Sequence, residues 1–173
     1  MGTVSLHQLN NAGFAIRTAD SLWLVDALHD GAKQYGGVSP EALTLIRRLA
    51  AGVVQPVRLI ITHLHPDHLS ARAVRSFAAE MPLTVYTADP EIEALNLGRA
   101  EVELLPLDAN VFVGENRLRA IPLPHLSPQQ FNILHTALRL DLGGASLFVS
   151  GDGLMDDHIF ARHEALIKGV DAA

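Results

Sequence analysis

The sequence predicts an α+β protein in which β-sheets pack face to face and helices cover their outer sides. Three observations predict this class. Short apolar segments typical of strands fill the start of the chain, and strand and helix patterns alternate between residues 39 and 98. From residue 102 onward, strand patterns follow one another until a last helical segment near residue 155. Strands grouped apart from helices are typical of layered sheets.

The first elements are three strands. Residues 4–9 and 14–17 are strand-like segments on either side of a turn at 10–13, which contains two asparagines and a glycine. Such residues favour turns because they tolerate unusual backbone angles. Residues 22–25 form a third apolar segment, which ends at Asp26.

The first helix has clear start and stop signals. Ser39 is suited to the N-cap, Pro40 to the first helical position, and Gly52 to the end of the helix. Apolar residues recur at helical spacing, at Leu43, Ile46, Leu49 and Ala50.

A strand, a helix, a strand and a short helix follow. Residues 57–62 are mostly apolar and β-branched, which is typical of a strand covered on both faces. Ser70 is suited to cap a helix through residue 80, residues 83–86 predict the next strand, and a short helix is expected from Asp89 to residue 98.

The last part of the chain is predicted to be mainly extended. Strand patterns cover residues 102–105, 111–113, 118–121, 133–142 and 146–150, with hairpin turns at 114–116 and 143–144. A final helix is expected over about residues 155–168.

Composition narrows the functional classes. With 173 residues, 49% of them hydrophobic and 18% charged, residues 1–173 predict one packed domain. A net charge of -6 gives no electrostatic reason to expect a nucleic-acid partner.

Because the chain has no cysteine, thiolate-ligated zinc and a cysteine nucleophile are excluded. Without a signal-peptide pattern or an apolar run of the ~20 residues that span a bilayer, we expect a cytoplasmic protein with no membrane partner.

Four ligand-type residues stand close together after the strand at 57–62. His63, His65, Asp67 and His68 occupy four of six consecutive positions. Strand alternation would place His63 and His65 on one side. Pro66 would start a turn that orients Asp67 and His68 toward the same site. A histidine-rich surface turn is the alternative, but several polar groups next to an apolar strand would then lack partners. The pattern predicts a metal site for Zn²⁺, with iron or manganese also compatible with these ligands.

This segment resembles a known family signature. Residues 63–68 match the HxHxDH motif of the metallo-β-lactamase superfamily, and residues 11–14, 24–26 and 150–152 are similar to further family segments in the same order. The resemblance implies an αββα sandwich of two mixed sheets, with helices on the outer faces and one or two metals at one edge.

The resemblance also implies roles for individual residues. His63 and His65 would bind the first metal, Asp67 and His68 the second, and Asp152 would bridge the two. Asp67 would in addition act as the catalytic carboxylate, which orients a zinc-bound hydroxide and passes a proton to the leaving group.

The resemblance further implies one more histidine at the first metal, from a loop between residue 68 and Asp152, and two histidines are candidates. His125 lies between prolines at 122, 124 and 128, a composition that favours an irregular loop. His135 lies in the predicted strand 133–142, where a packed or solvated histidine is the more usual state. We expect His125 to be the ligand and keep His135 as the alternative.

The chain departs from the family pattern near its end. Family members commonly have a later histidine that completes the second site, whereas residues 169–173 resemble the beginning of the next strand. His158 and His163 lie five residues apart on the predicted last helix, so they do not share one face squarely. We therefore expect a shortened member with an open second site, whose free sheet edge could support a homo-oligomer.

Two residues that follow the third strand have weaker signals. Asp26 is either a carboxylate behind the metals, as the resemblance implies, or a simple turn residue. His29 is expected in a surface loop.

The function expected from these features is hydrolysis. A zinc-bound hydroxide would attack an ester, lactone, thioester, amide or phosphoester of a small molecule, and the opening hairpin resembles the lactonase-like branch. A metal-dependent nuclease and a non-catalytic metal-binding or assembly module are the alternatives.

Overall fold

A computed structural model describes residues 3–32, 35–53, 56–127 and 133–172, so Pro128 and Ala173 lie outside the described residues. The elements, in chain order, are β1 (Ser5–Gln8), β2 (Phe14–Arg17), β3 (Leu22–Val25), β4 (Gly31–Ala32), β5 (Tyr35–Gly36), α1 (Pro40–Ala50), β6 (Val57–Ile61), α2 (Ala71–Glu80), β7 (Leu83–Thr87), a 3-10 helix (Pro90–Ala94), β8 (Glu101–Leu104), β9 (Asn110–Val113), β10 (Asn116–Pro122), β11 (Thr136–Leu142), β12 (Ala145–Val149) and α3 (Asp157–Ile167).

Two sheets form the body of the fold. The larger has the order β1-β2-β3-β6-β7-β8 and is mixed, because β1, β2 and β3 pair antiparallel whereas β3, β6, β7 and β8 pair in parallel. The smaller has the order β12-β11-β10-β9 and is antiparallel. Strands β4 and β5 pair antiparallel in a separate two-stranded sheet.

Strand alternation divides the apolar residues between the faces of these sheets. Trp23 and Ile60 of the larger sheet pack with Leu118 and Leu140 of the smaller sheet, which makes a core between the sheets. The residues that alternate with these along the strands of the larger sheet, such as Leu59, lie on its other face. They pack against the inner sides of α1 and α2.

The outer face of the smaller sheet is covered by α3. Ile121 and Phe148 of that face pack against Ile159 of the helix. The order of layers is therefore helix, sheet, sheet, helix, and the predicted αββα sandwich is confirmed.

Both predicted helix caps are present. The Ser39 hydroxyl accepts a hydrogen bond from Ala42 N at 3.1 Å, and the Ser70 hydroxyl accepts one from Ala73 N at 3.2 Å. These bonds satisfy backbone donors that a helix start leaves free.

Two predicted boundaries were wrong. The strand predicted at 133–142 begins at Thr136, whose N–H donates to the carbonyl of Thr62 just after β6. The short helix predicted to reach residue 98 ends at Ala94 and is a 3-10 helix, since Leu95 N donates to the carbonyl of Ile92 three residues earlier.

Beyond α3, the backbone turns back to the smaller sheet. Ala172 forms a parallel bridge with Leu147, and Phe148 N donates to the Ala172 carbonyl at 2.9 Å. This pairing agrees with the prediction of a strand start after residue 169. In the part of the chain that the structure describes, no helix has the length and apolar character needed to span a membrane.

Candidate metal centre

Four of the predicted ligands converge at one edge of the sandwich. His63, His65, His125 and Asp152 each offer a nitrogen or oxygen atom, and these atoms all lie within 4.8 Å of one another. His63 follows β6, where the larger sheet ends, whereas His125 and Asp152 follow β10 and β12 of the smaller sheet. The four residues therefore meet because the ends of strands from both sheets meet at this edge.

The segment after β6 turns as the sequence predicts. Residues 66–68 form a turn, closed by hydrogen bonds from the N–H groups of His68 and Leu69 to the carbonyl of His65, at 3.0 and 2.9 Å. The turn brings Nε2 of His68 to 3.4 Å from Oδ1 of Asp152.

The segment that contains His125 is joined to the turn that contains Asp152. His125 forms an antiparallel bridge with Gly153, and Leu126 N donates to the Asp152 carbonyl at 2.8 Å. This pairing places Nε2 of His125 3.7 Å from Oδ2 of Asp152. It explains why two residues far apart in sequence share one site.

Asp26 is buried directly behind the histidines. Its Oδ1 accepts a hydrogen bond from Thr62 N at 2.9 Å, and its Oδ2 accepts bonds from Thr62 Oγ1 at 2.7 Å and His68 Nδ1 at 2.9 Å. Thr62 Oγ1 also lies 3.1 Å from Nδ1 of His63, whose N–H can donate to it. Asp26 thus holds His68 directly and His63 through Thr62, which leaves both Nε2 atoms turned toward the site.

The backbone of Asp26 has an uncommon conformation. Its φ is 45°, in the left-handed region, which aspartate tolerates better than most residues. Its N–H donates to the Ile60 carbonyl at 3.0 Å, so the chain turns immediately after β3. Of the two roles considered for Asp26, the contacts favour the carboxylate behind the histidines.

The opening hairpin supports the same region. Asn10 donates through Nδ2 to the Ala27 carbonyl at 3.3 Å and accepts from Gly13 N at 2.5 Å. A Cβ at Gly13 would lie 2.7 Å from the carbonyl oxygen of Asp26, so this position requires glycine.

The electrostatics of the histidines differ from one to the next. Burial, together with neighbouring histidines, lowers the pKa of His63 to about 2, and burial also lowers that of His65. Burial opposes protonation of His68 as well, but the nearby carboxylates of Asp152 and Asp26 outweigh it and raise its pKa to about 10. The contact with His68 lowers the pKa of Asp152 to about 2. His63 and His65 therefore present neutral imidazoles, whereas a cation that replaces the proton on Nε2 of His68 meets the carboxylate of Asp152.

Unpartnered buried nitrogens test whether a metal fits. Among the described residues, Nε2 of His68 and Nε2 of His125 are buried without a hydrogen-bond partner. Both lie near the Asp152 carboxylate, which together with His63 and His65 completes a set of nitrogen and oxygen donors. Because zinc, iron and manganese accept such donors, the residues fit a divalent cation.

His125 needs one adjustment to act as a ligand. Its Nδ1 accepts a hydrogen bond from Ser127 N at 3.0 Å, so in neutral His125 the proton is on Nε2. Coordination through Nε2 therefore requires this amide to turn away from the ring.

The other candidate ligands lie outside the group formed by His63, His65, His125 and Asp152. Asp67 is half-buried and lines a neighbouring cleft of about 400 Å³ together with His68, Asp152 and Asp26. His158 is exposed and His163 half-buried on α3.

His135 lies behind the group. Its ring centroid is 5.0 Å from that of His63, and burial lowers its pKa to about 4. Neither ring nitrogen has a hydrogen-bond partner among the described residues. A Cβ at Gly151 would lie 2.7 Å from Nε2 of His135, so the ring packs beneath the turn that contains Asp152.

Two features were not predicted from the sequence. His29 is fully buried, and its Nδ1 accepts a hydrogen bond from Gly31 N at 3.0 Å, so the expectation of a surface loop was wrong. The linking role of Thr62 was also missed. No local sequence signal distinguishes either residue, because both depend on how β3 and β6 pair.

Comparisons with known proteins identify the family. The family described as the Beta-lactamase superfamily domain matches residues 23–172. No curated protein sequence matches the chain.

Several solved structures have a similar fold. A possible metal-dependent hydrolase from Veillonella parvula is 14% identical with a TM-score of 0.68, over 95% of this chain and 68% of that one. CmlA, a diiron beta-hydroxylase from Streptomyces venezuelae, is 19% identical with a TM-score of 0.66, over 97% of this chain and 33% of that one. An isothiocyanate hydrolase from Delia radicum gut bacteria is 18% identical with a TM-score of 0.61, over 96% of this chain and 68% of that one.

This chain spans about a third to two thirds of these proteins' lengths, and at such identities the likeness concerns the fold. This fold is shared by metal-dependent hydrolases and by a diiron hydroxylase, and the cluster of histidine and aspartate side chains is compatible with metal binding. The chain belongs to the β-lactamase superfamily and has the metallo-β-lactamase fold that its HxHxDH motif indicates.

Proposed function

We propose that this chain is a metal-dependent hydrolase that acts on an ester or lactone of a small molecule. The observation that carries the proposal is the convergence of three imidazoles and a carboxylate within 4.8 Å at the edge of the sandwich. Zn²⁺ is the first metal to consider, and iron or manganese would suit the same donors.

The residues divide into two sets of ligands. His63, His65, His125 and Asp152 would hold one cation, and Asp67 and His68 would hold a second together with Asp152. When bound, such a cation supplies a Lewis acid that polarises a carbonyl oxygen and lowers the pKa of a water molecule to about 7.

The protein's own contribution is positioning and proton transfer. Asp26 fixes His68 at 2.9 Å and fixes His63 through Thr62, so that these rings need not reorganise during the reaction. Asp67, in the cleft beside His68 and Asp152, is the carboxylate proposed to accept a proton from the attacking water and pass it to the leaving group.

Charge favours esters and lactones over phosphoesters. One cleft is bordered by His65 and another by His68 and Asp152, and neither has a lysine or arginine among its described lining residues. Proteins usually recognise phosphate groups with arginine or lysine. This distribution also disfavours the nuclease alternative.

A metal-dependent activity assay tests the proposal. The purified chain, reloaded separately with Zn²⁺, Fe²⁺ and Mn²⁺, is assayed on an aryl acetate, a γ-lactone, a phosphodiester and RNA, with and without chelator. We expect ester or lactone turnover that the chelator abolishes. His65→Ala and Asp67→Asn should each lower kcat/KM by at least about 100-fold, whereas the exposed His158→Ala should not change it.

Other outcomes would identify the alternatives. Stoichiometric metal without turnover of any substrate would favour a binding or assembly module. Degradation of RNA that His65→Ala abolishes would favour the nuclease. Turnover that survives both chelation and His65→Ala would contradict a metal-dependent reaction.

A further inference from the structure

A second cleft borders the candidate centre at His65. Its volume is about 400 Å³, within the range of sites that bind small molecules. The cleft is separate from the one that Asp67, His68 and Asp152 line. Because His65 is a candidate ligand, a molecule held at the metal centre could extend a substituent into this space.

One part of the cleft lining is apolar. Leu64, Ile133 and Leu134 contribute to it, and each is half-buried rather than fully covered by protein. Three such side chains around a concave surface favour an alkyl or aromatic group, since its burial removes apolar area from water.

The remaining lining is acidic. Asp89 is 7% exposed, and its Oδ1 accepts a hydrogen bond from Glu91 N at 2.9 Å, which fixes the carboxylate at the start of the 3-10 helix. Glu91 is exposed and also lines the cleft. The described residues that line this cleft include no lysine or arginine, so an anionic group would meet two carboxylates with no basic side chain beside them.

We propose that this cleft binds the non-reacting part of the substrate, and that this part is an apolar group with a positive charge, such as an alkylammonium chain. The apolar lining accepts the carbon chain, while Asp89 and Glu91 face the charge. The inference rests on the proposed function, because the neighbouring metal centre is what makes this cleft part of the substrate site.

Hydroxamic acids with different tails test the proposal without turnover. A hydroxamate chelates zinc through its two oxygens and would place its tail beside His65. The test is titration calorimetry of the zinc-loaded chain with three hydroxamic acids whose tails have similar lengths. They are hexanohydroxamic acid, with a neutral tail, 6-aminohexanohydroxamic acid, with a cationic tail, and adipic acid monohydroxamic acid, with an anionic tail. The expected Kd is lowest for the cationic tail and at least about 10-fold higher for the anionic tail.

Two variants of equal charge supply the control. Glu91→Lys leaves one carboxylate and one ammonium group in the lining, so the preference for the cationic over the anionic tail should be lost. Glu93→Lys makes the same change of charge on the same 3-10 helix, but Glu93 is exposed and does not line the cleft, so the order should stay as in the wild type.

The results separate this inference from the proposed function. Equal affinity for all three tails, or an equal effect of the two variants, would overturn the cleft assignment while leaving the metal centre intact. A chain that takes up no zinc, iron or manganese would overturn both.

Discussion

Nδ1 of His68 lies 2.9 Å from Oδ2 of Asp26, a residue 42 positions earlier in the chain. The same carboxylate accepts two hydrogen bonds from Thr62, and both residues of the pair are almost fully buried. A carboxylate that holds the Nδ1–H of a histidine fixes which nitrogen faces a metal and raises the basicity of that nitrogen. The pair therefore connects the turn after β3 to the ligand segment after β6.

Replacing this buried carboxylate should weaken metal binding. Asp26→Asn keeps the size of the side chain but removes its charge, so we expect affinity for Zn²⁺ to fall by about 10–100-fold. Competition with a chromophoric chelator measures the change, and the exposed Asp157→Asn is the control. Unchanged affinity in Asp26→Asn would show that Asp26 does not support the ligands.

The two candidate third histidines should behave differently. His125 belongs to the group within 4.8 Å, whereas His135 lies behind it. We expect His125→Ala to lower zinc affinity at least about 10-fold more than His135→Ala does, a difference of about 1.4 kcal/mol, measured by the same competition. A larger loss in His135→Ala would make His135 the ligand.

Gly151 should tolerate no side chain while His135 is present. Its φ is 55°, and an added Cβ would lie 2.7 Å from His135 Nε2. Gly151→Ala should therefore cost more free energy of unfolding than Gly144→Ala, where φ is 88° but no atom lies within 4 Å. Left-handed strain alone should cost Gly144→Ala about 1–2 kcal/mol, and the clash should add about 1–3 kcal/mol at Gly151.

The extra cost at Gly151 should depend on His135. In a His135→Ala background, urea unfolding should show a smaller cost of Gly151→Ala, although the close contact of the added Cβ with Thr62, at 3.1 Å, remains. If the cost is the same with and without His135, the close approach of the ring is not its cause.

Three polar side chains on neighbouring strands of the smaller sheet should make the free energy of unfolding depend on pH. Arg117, Asp141 and Ser146 are cross-strand neighbours. Partial burial opposes ionisation of Asp141, but hydrogen bonds from Ser146 and Arg117 outweigh it and lower its pKa. Because the folded pKa is below the unfolded value of about 4, this contribution is present above that pH and is lost as the pH falls through the folded pKa.

Asp141→Asn should therefore be more harmful at neutral pH. We expect a loss of about 1 kcal/mol in the free energy of unfolding at pH 7 and a smaller loss near pH 3, measured by urea unfolding in the presence of chelator. An equal loss at both values would mean that the ionised carboxylate contributes nothing.

Much of the fold follows from local sequence patterns. Ser39 and Ser70 predicted both helix starts, and the apolar run before His63 predicted β6, because caps and strand periodicity are local properties. The spacing of His63, His65 and His68 likewise indicated a site, since one turn brings these residues together.

Other features depend on contacts between distant segments. The burial of His29 depends on how β3 and β6 pair, and the approach of His135 to Gly151 depends on how β11 and β12 pair. Sequence periodicity cannot specify such packing. The choice between His125 and His135 was open for this reason, since it depends on the bridge between His125 and Gly153.

Metal content is the most direct test of the central claim that these side chains share a cation. The chain is stripped with chelator, reloaded with Zn²⁺, passed over a desalting column and measured by elemental analysis, beside His63→Ala and the exposed-histidine control His158→Ala. We predict at least one zinc ion per wild-type and His158→Ala chain, and a clear loss in His63→Ala. Wild-type protein that is folded yet retains no zinc, iron or manganese, or His63→Ala protein that retains as much metal as the wild type, would contradict the account.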